Sequence, residues 1–245
     1  MVRDAPSGAP HHEDLAAEQG HLQMPIAGKG MLLTSMNIDA AHEADFNRWY
    51  DSEHLAERVA IPGFIEARRY VAEQGSPKYL CLYSTETIDV LDSAPYRARL
   101  EAPTDWSKTV MARFKNLIRS VARITISQGA GRGAVLGIIR LRPKPGQDQA
   151  LREALQIELD PSELRSVISM HLLEGDADLS GPTAELPMSS RDADWFILID
   201  GTDSHAIATL MTTRFAAVDG PLATQISAGI YRLMWDLSRA DIAIN

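Results

Sequence analysis

Apolar positions along this chain change their period repeatedly, and each change marks an element. Residues 31–38 form an apolar run of strand length, ended by Asp39, which is suited to cap a helix starting near Ala40 or Ala41. That helix should continue to about Val59, where Ile61-Pro62-Gly63 stops it, because proline cannot extend the ladder and glycine supplies the turn. Strand-like runs over 64–73 and 78–85 follow, joined by Gln74-Gly75-Ser76-Pro77 as in a hairpin. Pro95 and Pro103 divide the next stretch into a short helix over 88–94 and a main one over 105–117, and the alternating, β-branched segment 118–127 reads as a last strand. The order is β-α-β-β-α-β.

After the glycine-rich joint Gln128-Gly-Ala-Gly-Arg-Gly133 the same order begins again. A strand is expected over 134–141, a helix over 147–159, a strand over 167–173, a long loop over 175–193, a strand over 195–200, a helix over 204–217 and a strand over 225–237. The predicted fold is α+β: two tandem ferredoxin-like units, residues 29–127 and 134–245, with a linker at 128–133 and a loosely docked extension at 1–28. The repeat is architectural, with little identity between halves. A four-stranded sheet with helices on one side must bury its other side, and in a tandem repeat the partner is the other half. The two sheets should therefore close an internal α/β barrel with a cleft.

Composition narrows the function. Of 245 residues, 45% are hydrophobic and 23% charged, an ordinary globular profile, and the net charge of −9 offers no positive surface for nucleic acid. One cysteine, Cys81, excludes an internal disulfide and a cysteine-rich metal site, and suits a reducing cytoplasm. The N-terminus lacks the basic start and apolar core of a signal peptide, and no segment approaches the ~20 apolar residues of a membrane span. His11, His12 and His21 read as part of a solvated tail. The glycines at 129–133 precede a strand, so they do not form a phosphate cradle, and no nucleophile elbow is present.

Chemistry concentrates at residues 49–54. Projected at 100° per residue, Phe46, Trp49, Tyr50, Glu53 and Glu57 share a helix face with His54 at its edge. The aromatics are explained by packing. Polar groups beside them need another reason, since a carboxylate there loses hydration and gains basicity, and an imidazole is already poised near neutrality. Glu53 and His54 point about 100° apart, which does not suit a shared metal.

The run Phe46-Asn-Arg-Trp-Tyr-Asp-Ser-Glu-His-Leu55, with Ile61-Pro-Gly-Phe64 and Ala67-Arg-Arg-Tyr70, resembles the dimeric α/β-barrel superfamily, nearest its EthD-like branch. His171-Leu-Leu-Glu-Gly-Asp and Pro182-Thr-Ala-Glu185 resemble the second half of two-domain relatives, which here lacks the Trp-Tyr-x-x-Glu-His pattern. The resemblance implies cofactor-free isomerases, lyases and cyclases, small-molecule monooxygenases, or haem enzymes, and members that often pair into homodimers. For haem the axial candidates would be His54, His171 or His205.

The residues favour proton chemistry without a cofactor or metal, on a small aromatic or polyketide-like phenol or carbonyl compound, of lyase, elimination, isomerase or cyclase type. His54 is the expected general base or acid, Glu53 its tuner or second proton carrier, and Tyr50 a donor to substrate oxygen. Trp49, Arg68, Tyr70, Tyr83 and His171 are the expected substrate-binding residues, with Arg68 and Tyr70 on one face of a strand. A monooxygenase, cofactor-free or haem-dependent, and a non-catalytic binding protein are the rival readings. One half carries the motif, so one active cleft per chain is expected.

Overall fold

The computed structural model describes residues 26–187 and 193–242; the extension at 1–25, with His11, His12 and His21, lies outside them. The first half runs β1 (Gly30–Asn37), α1 (Glu43–Trp49) continued through a π-helical turn (Tyr50–His54) into α2 (Leu55–Val59), β2 (Phe64–Gln74), β3 (Tyr79–Thr85), α3 (Ala94–Glu101), α4 (Asp105–Met111) and β4 (Lys115–Gly129). The second runs β5 (Val135–Pro143), α5 (Asp148–Glu158), β6 (Val167–Asp176), α6 (Ala177–Ser180), β7 (Trp195–Gly201), α7 (Ser204–Thr213) and β8 (Ala223–Ser238).

The expected barrel is present. Strand order is β1-β3-β2-β8-β5-β7-β6-β4, closed on itself, with every pair antiparallel. Each half contributes four strands in the same order, fourth-first-third-second. The halves join where β2 meets β8 and where β4 meets β6, so the edges of one sheet are satisfied by the other. Most strands are buried on both faces, helices covering the outside and the opposite strands the inside.

Several details depart from the expected elements: the loop expected over 175–193 opens with the end of β6 and with α6, and the helix expected over 204–217 ends at Thr213. Pro95 does not end a helix; it sits in the first turn of α3, whose cap is Ser93, because a missing N–H costs nothing there. The main helix ends at Met111, and β4 starts at Lys115, with Asn116 as its second residue at a φ of 50°. Among the described residues no helix is long and apolar enough to cross a membrane.

Three packed layers result. The barrel interior holds Met31, Leu33, Tyr70, Leu82, Phe196 and Leu198 among others, and a helix-facing layer lies outside each half-sheet. The interior also carries a buried polar cluster. Arg68 on β2 donates to Asp200 on β7 at 3.2 Å and to the carbonyl of Gly133 at 3.0 Å, and Arg132 pairs with Glu66. Burial pushes the Asp200 carboxyl up to about 6 even with Arg68 beside it.

This pair ties β2 of one half to β7 of the other, and both partners are buried. Removing one leaves a charge without a counter-ion. Arg68→Met should cost about 3–5 kcal/mol in denaturant unfolding, and Arg68→Met/Asp200→Leu should recover most of it. Equal losses in the single and double variants would show that the pair does not couple the halves.

Candidate active site

The helix over β1 and β3 is built on Phe46, Trp49 and Tyr50, all buried. At Tyr50 its hydrogen bonding widens: the N–H of Leu55 donates to the carbonyl of Tyr50, five residues back, and the Ser52 hydroxyl donates to the carbonyl of Arg48 at 2.6 Å. The π turn delays the following residues by one position. His54 therefore falls beneath Trp49 and Tyr50, and Arg58 follows it inward, while Glu53 and Glu57 rotate away.

The face projected at 100° per residue is corrected accordingly. Glu53 accepts from Thr104 Oγ1 at 2.6 Å and Ser107 Oγ at 3.1 Å, at the N-terminus of α4. Glu57 pairs with Arg99. Neither lines the cavity under the helix. Glu53 still acts on it indirectly, because Ser107 Oγ also accepts from Trp49 Nε1 at 3.0 Å, and the Trp49 ring lies 4.1 Å from that of His54.

A second correction comes from β2. Its register against β3 slips between Phe64 and Glu66, so counting alternate residues from the helix-facing Phe64 gives the wrong set. Ala67 and Arg69 face the helix; Arg68 and Tyr70 face the barrel interior. Arg69 is fully buried, donates to Asp51 at 2.7 Å and to Asn47, and lies 4.4 Å from the centre of the Tyr50 ring. His171 is also interior, with Nδ1 against Ser127 Oγ at 2.9 Å and Nε2 against Ser169 Oγ at 3.0 Å. Burial and the Arg132 charge push it down to about 3. Of the residues singled out from sequence, the structure brings together His54, Tyr50 and Tyr83. Trp49 backs them, and Arg68, Tyr70 and His171 lie across the sheet.

The cavity they share measures about 20 Å³, the size of one water, and is walled by Leu32, Thr34, Met36, Met111 and Phe114 as well. Tyr96, Arg58, Arg119, Glu185 and Leu186 close its outer side. The last two belong to the connection after β6, so the second half of the chain completes a site built on the first. Arg58 and Glu185 form a buried ion pair across that boundary. Sequence reasoning missed Arg58, Arg69 and Arg119, since each is an arginine whose burial depends on the π turn, the bulge or the tertiary contact.

Among the described residues, four buried polar atoms at this cavity have no hydrogen-bond partner: Thr34 Oγ1, His54 Nδ1, Arg58 Nη1 and the Tyr83 hydroxyl. Tyr50 donates only to the thioether of Met36, at 3.9 Å. Such groups are rare in folded interiors and mark a place where polar partners are to be received. Burial, reinforced by the charges of Arg58, Arg99 and Arg69, holds His54 well below the ordinary histidine range, so its imidazole is neutral. Burial raises both Tyr50 and Tyr83, so both phenols keep their protons. Cys81, also buried on β3, is pushed up to about 11 and is an inert core thiol.

Outside this wall lies a cleft of about 260 Å³ whose lining includes Leu91, Leu100, Leu179 and Thr183 and which shares Tyr96 and Arg119 with the inner cavity. Haem fits poorly here. His54 faces a water-sized space, His171 uses both ring nitrogens on serines, and His205 is exposed. The clefts of about 260, 500 and 320 Å³ carry no histidine. Among the described residues no three His, Cys, Asp or Glu side chains are grouped to hold a metal ion. The matching layer of the second half is packed around Ile139, Leu141, Leu151 and Leu155 with Trp195 and Phe215, and among the described residues that cluster is apolar.

No protein-family model matches the chain, and no curated protein sequence matches it. Solved structures do. An anthrone oxidase-like protein aligns with a TM-score of 0.60 and 11% identity, over 89% of this chain and 96% of its own. A proposed monooxygenase from Fusobacterium nucleatum subsp. nucleatum aligns with a TM-score of 0.53 and 9% identity, over 86% and 95%. A dye-decolorizing protein from V. cholerae gives 0.53 and 11%, over 86% and 95%. At such identities the likeness is one of fold, and the fold is that of the ferredoxin-like α/β barrels.

Proposed function

We propose that the chain is a cofactor-independent enzyme that moves a proton on a small phenolic or carbonyl compound at the π-turn cavity, as a lyase, isomerase or cyclase does. The observation that carries this is His54: a buried, neutral imidazole with an unpartnered Nδ1, beside two protonated phenols and two guanidinium groups. The neutral ring takes a proton from an activated carbon or hydroxyl. The oxyanion that develops is met by Tyr83 and Tyr50 as donors and by the positive field of Arg58 and Arg119. Aromatic and aliphatic walls keep water from competing.

Glu53 positions rather than reacts: through Ser107 it fixes Trp49, and Trp49 fixes the imidazole. Arg68, Tyr70 and His171 belong to the barrel interior in this reading. The motif around Trp49 and His54 resembles that of the EthD-like branch, and this reading takes the chain as a cytoplasmic homodimer.

A second reading uses the same base. Removing the phenolic proton yields an electron-rich phenolate with carbanion character on its ring, which can pass electrons to dioxygen, the oxidant that is reduced, without a cofactor. The apolar aromatic wall favours this, and so does the description of structural neighbours as anthrone oxidase-like and as monooxygenases. Oxygen uptake matching product formation would select it; turnover under argon would select the first.

Two results test the shared base. On a compound that the parent turns over, His54→Ala should lower kcat/KM by about 100-fold or more, and Glu53→Gln by less than about tenfold. Equal, small losses in both would remove His54 from the chemistry. In the pH profile, inactivation requires protonating an imidazole that burial and neighbouring arginines keep neutral. The acid limb should therefore fall below the ordinary histidine range, with kcat/KM level from pH 7 to below about 6.5. An acid limb centred near 6.5 would contradict it.

A further inference from the structure

Charges around the π-turn cavity do not balance. Its wall carries two guanidinium groups, Arg58 and Arg119, against one carboxylate, Glu185, which belongs to Arg58. Arg119, on β4, is 5% exposed and touches neutral oxygens alone: the carbonyls of Leu179 at 2.8 Å and Gly181 at 3.4 Å, and the Tyr96 hydroxyl at 3.3 Å. Among the described residues no carboxylate pairs with it. A buried guanidinium without a counter-ion is costly, and it is retained where an anion is to be received.

Its position says which anion. Arg119 and Tyr96 line both the inner cavity and the outer cleft, so one cation faces the imidazole on one side and an apolar slot formed by Leu91, Leu100 and Leu179 on the other. The acids near the cleft, Asp92, Glu101 and Asp178, are exposed, and Asp92 pairs with Arg97 at 3.1 Å. Solvent screens them, whereas Arg119 is desolvated. The geometry points to an aromatic carboxylate, or an equivalent planar acid, as the substrate class: the ring lies in the cleft and the acid forms a charge-assisted pair with Arg119. Arg119 is then the specificity residue of the site whose base is His54, and this assignment rests on the proton-transfer reading above for what happens next.

The loop that Arg119 holds explains how a cavity of about 20 Å³ admits such a molecule. Arg119 donates to Leu179 and Gly181, just before the segment that places Glu185 on Arg58. An incoming carboxylate competes for the same donors, and releasing Glu185 opens the wall toward His54.

The test is equilibrium binding of 1-hydroxy-2-naphthoate and of 1-naphthol to the full chain, followed by tryptophan fluorescence and calorimetry near pH 8. The acid should bind at least about tenfold more tightly than the neutral phenol, as one charge-assisted hydrogen bond provides. Arg119→Gln should bring the two Kd values within about threefold, and Arg119→Lys should keep part of the preference; a loop clamp without an anion role would leave the ratio unchanged. Equal affinities in the parent, no binding of the acid, or an undiminished ratio in Arg119→Gln would each overturn the assignment. Should Arg119→Gln fail to fold, the parent ratio and Arg119→Lys decide. His54→Ala separates the two claims. If it keeps the acid preference and loses turnover, both stand; if turnover depends on His54 but no acid preference exists, only the substrate class fails; if the preference exists but turnover ignores His54, only the base fails.

Discussion

Backbone groups at the edge of a sheet must find partners, and in this protein that requirement organises everything else. Each half builds four strands whose outer members, β2 and β4 in the first and β6 and β8 in the second, would stand open. Pairing β2 with β8 and β4 with β6 closes both at once. Closure gives most strands two buried faces, so alternate residues there must be suited either to the barrel interior or to the helix layer. The interior is sealed with leucines, methionine and aromatics, and its one polar cluster is paired across the halves through Arg68 and Asp200.

Within that frame the site depends on a local irregularity. A regular helix over β1 would present Glu53 and Glu57 to the sheet, placing two carboxylates in an aromatic layer. The π turn at Tyr50 shifts the register by one residue, sends the acids to the surface of α4 and α3, and places His54 and Arg58 inside. The bulge at the start of β2 has the same kind of effect, bringing Arg69 rather than Arg68 under Tyr50. At the π turn one extra residue decides which charge lines the cavity, and at the bulge which arginine packs against the helix. In the second half α5 is a regular helix and the layer beneath it is apolar, so the imidazole-bearing cavity lies in the first half.

Electrostatics in the cavity are then internally consistent. The arginines that keep His54 neutral would, in the proposed reaction, also favour negative charge on the group the imidazole deprotonates. A base weakened by its surroundings is compensated when those surroundings stabilise the conjugate anion. Desolvation raises Tyr50 and Tyr83, so they remain hydrogen-bond donors.

Period and punctuation in the sequence determined the fold. The apolar run from Met31, the stop at Ile61-Pro62-Gly63, the hairpin before Lys78 and the restart after Gly133 each depend on local propensity, and the bare sheet face then required a barrel. The sequence also determined that residues 49–54 carry unusual chemistry for a packed helix, and that one half alone contains it. It did not determine which of those side chains share a cavity. Glu53 outside and Arg58 inside, Arg69 in place of Arg68, and Glu185 arriving from the other half all follow from one-residue shifts or from contacts between distant segments. A periodic projection assumes a constant register, and long-range packing is what breaks it. Tertiary structure alone decided the site, because burial and charge pairing there are properties of the assembled barrel rather than of any one element.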